Sequence, residues 1–342
     1  MEAWLTREWH RTSAWQILLR PVSWLFGLLV AVRCRAFRAG LLKSHVVGVP
    51  VIVVGNITVG GTGKTPLVLA LAATLKERGL QCGIVTRGYQ REASETDREA
   101  VQVMPGSETG ALMSDEASLL ANRSGVPVFA CADRFKAVEQ LLLKYPEINA
   151  ILSDDGLQHY ALQRDLEICV IDGARGLGNG SLLPAGPLRE PPSRLDSVDA
   201  IVINGDLSGS AVPSLRALPA FRMVLANEVF INVKTGRRLQ IDEAIIQFQN
   251  NRVHGLAGTG HPQRFFSHLG GLGLPLAATQ VFPDHHNYSA SDMPGPDAAI
   301  ILMTEKDAVK CGSFADERMW FMRVDAILPE EFFEFVMKKL FH

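Results

Sequence analysis

Apolar positions along this chain fall into short continuous runs separated by segments of helical period. VVGVPVIVVGN, residues 46–56, is a nearly unbroken β-branched run, the pattern of a strand covered on both faces of a parallel sheet. A glycine-rich turn follows, and PLVLALAATLKERG then predicts a helix from about Pro66 to Arg78, closed by Gly79. CGIVTR (82–87), PVFACA (127–132), INAILS (148–153), LEICVI (166–171) and DAIVIN (199–204) predict further strands, with helices over 114–123 and 133–144. Alternation of this kind builds βαβ units with right-handed crossovers, hence a doubly wound, mostly parallel sheet.

The rhythm changes at residues 221–241. FRMVLANEVFINVKTGRRLQI predicts two extended segments joined by a Lys-Thr-Gly turn, a hairpin rather than a crossover. Beyond it NRVHGLAG, LAATQVF, AAIILMT and MWFMRV are strand-like, PQRFFSHLGG is helical, and a last helix falls near 329–341. The expected organisation is a core over 44–220, a hairpin linker over 221–241 and a smaller α/β lobe over 242–342, with the cleft between the lobes. Two units suit a chain of 342 residues, since domains average about 150.

Residues 1–43 stand apart. They carry Arg7, Arg11, Arg20, Arg33, Arg35, Arg38 and Lys43 against Glu2 and Glu8, a net +5, so the remainder carries −7 of the total −2. Inside this stretch PVSWLFGLLVAV (21–32) is wholly apolar apart from one serine, with Trp4, Trp9, Trp15 and Trp24 nearby. Twelve helical residues span roughly 18 Å, short of the ~30 Å bilayer core, and extension back to Ala14 takes in Arg20 and Pro21. No small-residue cleavage site follows, which disfavours a signal peptide. A basic, tryptophan-bearing helix lying at the headgroup level of a membrane fits every feature; a buried domain helix and a true span are the alternatives.

Composition narrows the rest. The chain is 47% hydrophobic and 20% charged, which excludes disordered and collagen-like classes. Five scattered cysteines without a CxxC pair argue against a disulfide framework or thiolate zinc site and for a reducing compartment. Near-neutral charge disfavours a nucleic-acid binder.

The strongest chemical signal is GNITVGGTGKTP, 55–66. After a buried strand, Thr58, Gly60, Gly61, Thr62 and Gly63 form a turn whose amides can cradle phosphate oxygens, and a helix then opens at Lys64-Thr65. Lys64 would reach the β- and γ-phosphates of a nucleotide, and the Thr65 hydroxyl would hold Mg²⁺. The usual P-loop pattern places glycine where this chain has Thr58. AILSDDGLQH (150–159) is an apolar strand ending in Asp154 and Asp155, the form of the carboxylate partner that orients Mg²⁺ beside a P-loop. Successive strand side chains point oppositely, so one acid faces the ion and the other fixes the loop. SDEAS (114–118) sits at a helix start, where acids also simply complement the dipole. FPDHHNYS (282–289) offers two loop histidines and an aspartate, with zinc a weak option for want of a nearby cysteine. DGARGLGNGSLLPAGPLREP (172–191) is a long Gly/Pro-rich loop bearing Arg175, Arg189 and Glu190; loops of that length tend to be functional.

Together GNITVGGTGKTP, RGY (87–89), SDEA (114–117), SDDGLQH (153–159), LLPAGPLREP (182–191), DHH (284–286) and TEKDAVK (304–310) resemble the tetraacyldisaccharide 4'-kinase family, the lipid A 4'-kinases of Gram-negative bacteria. Thr58 fits that family's own version of the loop. The resemblance implies a P-loop NTPase-like fold and transfer of the γ-phosphoryl group of ATP, with Mg²⁺, to the 4'-hydroxyl of a tetraacylated glucosamine disaccharide 1-phosphate. It implies a glycolipid partner at the cytoplasmic face of the inner membrane, and neither nucleic acid nor an obligate protein partner. It further implies that Asp115 pairs with a histidine of DHH to draw the proton from the sugar hydroxyl; His285 is taken for that role, with the adjacent His286 the alternative. Asp155, with Asp154 beside it, would be the metal-linked carboxylate, and Arg189 and Glu190 would wall the phosphates. Because Asp115 and His285 fall in different lobes, their contact is expected only on lobe closure. The competing expectation is a membrane-associated P-loop ATPase switch acting on a protein; IVINGD (201–206) lacks the lysine of a guanine reader.

Overall fold

The computed structural model describes residue 9 and residues 14–88, 99–106, 114–207 and 218–341. Trp4, Arg7 and Arg11 of the basic segment and Tyr89 of the RGY motif lie outside them.

The chain opens with α1 (Ala14–Arg38), a 25-residue helix with Pro21 inside it. At 1.5 Å per residue this is about 37 Å, so the expected shortness of the apolar helix is corrected: the flanking AWQILLR and RCRAFR turns are themselves helical, and it is long and apolar enough to cross a bilayer. Trp15, Ile17, Leu18, Val22, Trp24, Leu25, Leu28, Leu29 and Val32 are all exposed. A narrow face touches the body. There Ser23 Oγ donates to the Leu182 carbonyl and accepts from the Ala185 amide, both at 2.9 Å.

β1 (Val51–Gly55) follows, fully buried. It is shorter than the expected 46–56 run because Pro50 has no N–H for a ladder and confines the strand to its far side. Next come α2 (Lys64–Glu77), β2 (Cys82–Thr86), β3 (Val101–Val103), α3 (Asp115–Ser124), β4 (Val128–Ala130), α4 (Arg134–Lys144), β5 (Ala150–Asp154), β6 (Leu166–Asp172) and β7 (Ala200–Asn204). Ser114 and Asp133 cap α3 and α4, each side chain accepting from a backbone amide in the first turn. The strand order from β7 outward is β7-β6-β1-β5-β2-β4-β3, parallel except for β3. Ile52, Leu67, Leu71 and Ile84 pack one face of this half and Val53, Val85, Leu141 and Ile151 the other.

β8 (Ala220–Asn232) joins this half to the next. Ala220–Met223 pair in parallel with β7, whereas Val224–Asn232 pair antiparallel with the final strand. β9 (Arg238–Gln240) folds back on β8 across the Lys-Thr-Gly turn. After it come α5 (Ile241–Phe248), β10 (Val253–Ala257), α6 (Pro262–Gly271), β11 (Ala278–Val281), β12 (Ile300–Thr304), α7 (Glu305–Ala308), β13 (Met319–Ile327) and α8 (Glu330–Phe341). The order β11-β10-β12-β13-β8 continues one 13-stranded sheet, and its second half has its own core around Phe230, Phe248, Leu302 and Trp320.

Two features of this topology place the site. β13 runs opposite to β7 and is displaced along β8, so β7 ends at Asn204 beside Met223 and β13 ends at Ile327 beside Val224. The carboxyl ends of the two parallel sets therefore face each other across a gap, and in such sheets those ends are where ligands bind. The helix expected to complete the smaller lobe instead returns to the first half: Phe332 and Val336 of α8 pack with Ile52 and Leu67. The reason is apolar complementarity, since Phe221 of β8 meets Phe332 edge-on at 5.2 Å.

Candidate active site

The gap is lined by the residues that follow β1, β5, β6 and β7 on one side and β11 and β12 on the other. After β1 the chain turns through Gly60 (φ 98°) and Gly63 (φ 97°) into α2. A Cβ on Gly63 would sit 2.6 Å from Asn204 Nδ2, so both backbone conformation and space demand glycine there. Asn204 Nδ2 donates to the Thr62 carbonyl at 3.0 Å, bracing the loop from the end of β7. Thr58 is held by the 172–191 loop, in a bridge with Leu188, and accepts from Asn56 Nδ2 at 3.3 Å. Lys64 Nζ donates to Asn56 Oδ1 at 3.1 Å and lies 3.4 Å from Asp155 Oδ1. Thr65 sits beside it in the first turn of α2.

The two acids at the end of β5 have different surroundings. Asp155, in a left-handed conformation (φ 48°), is bridged by Lys64 and by Arg189 Nη1 at 3.1 Å. Burial pushes its carboxyl up, but the Lys64 and Arg189 charges outweigh that and hold it below the usual range. Asp154 is 3% exposed. Its carboxyl is pushed up to about 7, first by burial and then by repulsion from Asp155, with Lys64 and Arg134 opposing. Thr62 Oγ1 and Asp154 Oδ1 are buried without a hydrogen-bond partner among the described residues.

From the other half, the loop after β11 presents His285 at φ 61°. His285 Nδ1 lies 3.1 Å from Asp115 Oδ2 at the start of α3, while His286 Nε2 lies 3.4 Å from Asp292 and stacks on Phe282. The structure thus separates the two histidines that the sequence leaves adjacent. The contact is made in this structure, where the facing carboxyl ends bring the two residues together. The hydrogen bond to Asp115 raises the His285 pKa above the ordinary value, against burial and the Lys306 charge. Burial pushes Asp115 up, yet its bond to His285 and the charges of Lys310 and Lys306 hold it below the usual range. With the Nδ1 proton held by a carboxylate, Nε2 is the basic nitrogen of the ring.

Glu190 does not join the loop directly. Its carboxylate is 2% exposed and accepts from Tyr160 and from Gln158 Nε2 at 2.9 Å; Gln158 in turn donates to the Asn56 carbonyl at 3.0 Å. Other participants carry no assignment from sequence. Asn56 and Gln158 lie within the quoted motifs, where their position beside the glycine turn and the acid pair is the only signal. Arg134 is buried and donates to the Cys131 and Asp154 carbonyls. Arg175 donates to the Gly61 carbonyl, and Arg264 of α6 joins it on Asp172 Oδ2 at 2.9 Å; nothing in the sequence marks Arg264.

Residues 15–341 match the family model described as tetraacyldisaccharide-1-P 4'-kinase. A tetraacyldisaccharide 4'-kinase of Methylobacillus flagellatus is 46% identical over 338 residues, covering 98% of this chain and 96% of its own. That of Chromobacterium violaceum is 43% identical over 347 residues, covering 98% and 97%. Among solved structures, LpxK from Aquifex aeolicus, described as an "apo" form in complex with ATP, is 29% identical with a TM-score of 0.76, covering 95% of this chain and 99% of that one.

The pairing generates a titration. The bond favours imidazolium, so its stabilisation is complete below the ordinary value of 6.5 and fades as pH rises through the raised His285 value. In Asp115→Asn the His285 midpoint, followed by ¹⁵N imidazole NMR, should fall toward or below 6.5, and this acid-side stabilisation should vanish. An unchanged midpoint would contradict the pairing.

Proposed function

The chain belongs to the tetraacyldisaccharide-1-P 4'-kinase family and is a kinase, and from that premise we propose that it transfers the γ-phosphoryl group of ATP to the 4'-hydroxyl of a tetraacylated glucosamine disaccharide 1-phosphate at the cytoplasmic face of the inner membrane. The observation that carries this reading is the Asp115–His285 pair facing a P-loop across one gap. A nucleotide switch needs the cradle and a base reader, and Asn204, in the segment where a reader would lie, spends its amide on the Thr62 carbonyl.

The division of labour follows from charge. Phosphoryl transfer is mostly positioning and neutralisation. The amides of residues 60–65 grip the triphosphate, and Lys64 leaves Asp155 for the β- and γ-oxygens. Arg189, beside Asp155, lines the same wall. His285 Nε2 takes the proton of the sugar hydroxyl as that oxygen bonds to the γ-phosphorus and the bond to the β,γ-bridging oxygen breaks, releasing ADP. Asp115 holds the ring and compensates its new charge.

Thr65, Asp154 and Asp155 supply oxygen donors only, and the unpartnered Oδ1 of Asp154 suits a hard cation. Among the described residues no group of three His, Cys, Asp or Glu side chains forms a metal cage, as fits Mg²⁺, which takes one or two carboxylates plus phosphate and water. When bound there, Mg²⁺ supplies neutralisation of phosphate charge.

α1 explains how a four-chain acceptor is met. Each buried methylene contributes about 0.8 kcal/mol, so the lipid stays in the bilayer and the enzyme comes to it. The exposed apolar face of α1 enters the membrane, with Arg33, Arg35 and Arg38 at anionic headgroups. A cavity of about 430 Å³ between α1 and residues 183–190, lined by Phe26, Leu29, Val30, Arg33, Arg189 and Glu190, connects that surface to the wall of the site.

His285→Ala should lower turnover on the glycolipid by about 10²–10⁴-fold while the Kd for ATP barely changes; an intact rate would remove the base assignment. Deleting residues 1–43 should release the protein from anionic vesicles in a sedimentation assay, and unchanged sedimentation would overturn the anchor.

A further inference from the structure

Phosphoryl transfer as outlined leaves two lysines of the 304–310 segment without a task, and both meet the acids that open α3. Lys306 Nζ bridges Glu116 Oε1 at 2.8 Å and Asp284 Oδ1 at 3.0 Å. Lys310 reaches deeper. Its side chain is 3% exposed, and Nζ stands 3.1 Å from Asp115 Oδ2, the same oxygen that His285 Nδ1 approaches at 3.1 Å. It also donates to the His286 carbonyl at 3.1 Å and lies 5.3 Å from the Tyr288 ring centre. One ammonium group thus grips the carboxylate of the pair and the backbone next to its histidine, which is held in a left-handed conformation.

We propose that Lys310 is the positioning residue of the Asp115–His285 pair, clamping the carboxylate to the 284–286 loop and offsetting its charge beside the imidazole. This rests on the reading of His285 as the base.

A purely structural role for Lys310 would centre on Asp307, which is fully buried. That carboxylate is already satisfied by the Gly258 amide, the Thr304 hydroxyl and the Tyr288 hydroxyl at 3.1, 2.6 and 3.1 Å. Lys310 Nζ stands farther from it, at 3.8 Å. The short contacts of the ammonium go to Asp115 and the loop.

The charge inventory around the ring shows what the clamp does. His285 is faced by Asp115 and Glu116 from α3, Asp284 from its own loop and Lys306 from α7, while His286 turns away to Asp292 and Phe282. Without Lys310, three carboxylates oppose one lysine, and Asp115 loses the ammonium that shares its charge with the ring. Since Lys310 Nζ and His285 Nδ1 share one oxygen, they are no more than roughly 6 Å apart, within the range where one charge shifts another group by about 1–3 pH units.

The test compares full-length Lys310→Met and Lys310→Arg by ¹⁵N imidazole titration of His285 and by the pH profile of kcat/KM. In Lys310→Met the His285 midpoint should rise by about 1 pH unit or more, and the acid limb of the profile should rise with it. The rate near neutral pH should fall about 10-fold for each pH unit that the midpoint climbs, and it should return at higher pH. Lys310→Arg, which keeps the charge, should hold both near the parent values. Lys310→Gln repeats the measurement if the Met variant fails to fold, with the same upward movement expected. An unmoved His285 midpoint in the Met or Gln variant overturns the proposal. A midpoint that moves while the limb stays put supports the Lys310–His285 coupling and overturns the base reading beneath it.

Discussion

Transfer of a phosphoryl group between two oxygens depends above all on positioning and charge neutralisation, to which a proton acceptor beside the attacking hydroxyl adds. In this chain the glycine turn that carries Lys64 and the loop that carries His285 come from opposite halves of one sheet. The long strand β8 makes that possible by pairing parallel with β7 at one end and antiparallel with β13 along the rest. The two parallel sets therefore run toward each other, and the loops at their carboxyl ends share one gap. The short contact between His285 and Asp115, 170 positions apart in the chain, is the direct result.

The electrostatics of the gap divide by depth. On the cradle side Lys64, Arg189 and Arg134 surround Asp154 and Asp155, two adjacent carboxylates that would repel each other strongly in a dry site. Asp155 keeps its charge through two ion pairs, while Asp154, fully enclosed, is pushed toward neutrality. Around His285 the signs are reversed: carboxylates from α3 and the 284–286 loop surround an imidazole, and two lysines temper them. Outside both lies α1, whose Ser23 is seated on the loop that also carries Arg189. The exposed apolar face of α1 and Arg189 are thereby joined through a short stretch of backbone.

Much of this was legible in the sequence. Continuous apolar runs marked β1, β5, β6, β7 and β12 because strands buried on both faces leave no room for polar alternation. Glycines and the Lys64-Thr65 pair marked the cradle because few backbones besides glycine can turn inward there. What escaped was set by tertiary contact. β3 is three residues long with an exposed valine and has no pattern to detect. α8 reads as amphipathic, but which half it covers depends on Phe221, far away in the chain. Glu190, grouped with Arg189 by adjacency, bonds to Tyr160 and Gln158 on the side of α1 because neighbouring residues of an extended loop diverge. Arg264 of α6 and Arg175 meet on Asp172 by ion pairs, and no spacing announces it.

The most direct measurement is the fate of the terminal phosphate of [γ-³²P]ATP offered to the purified protein with Mg²⁺ and vesicles containing a tetraacylated glucosamine disaccharide 1-phosphate. Label is expected at the 4'-position of the lipid, in proportion to the lipid supplied and dependent on Mg²⁺. Label released only as inorganic phosphate, at a rate indifferent to the lipid, would contradict transfer to a membrane sugar.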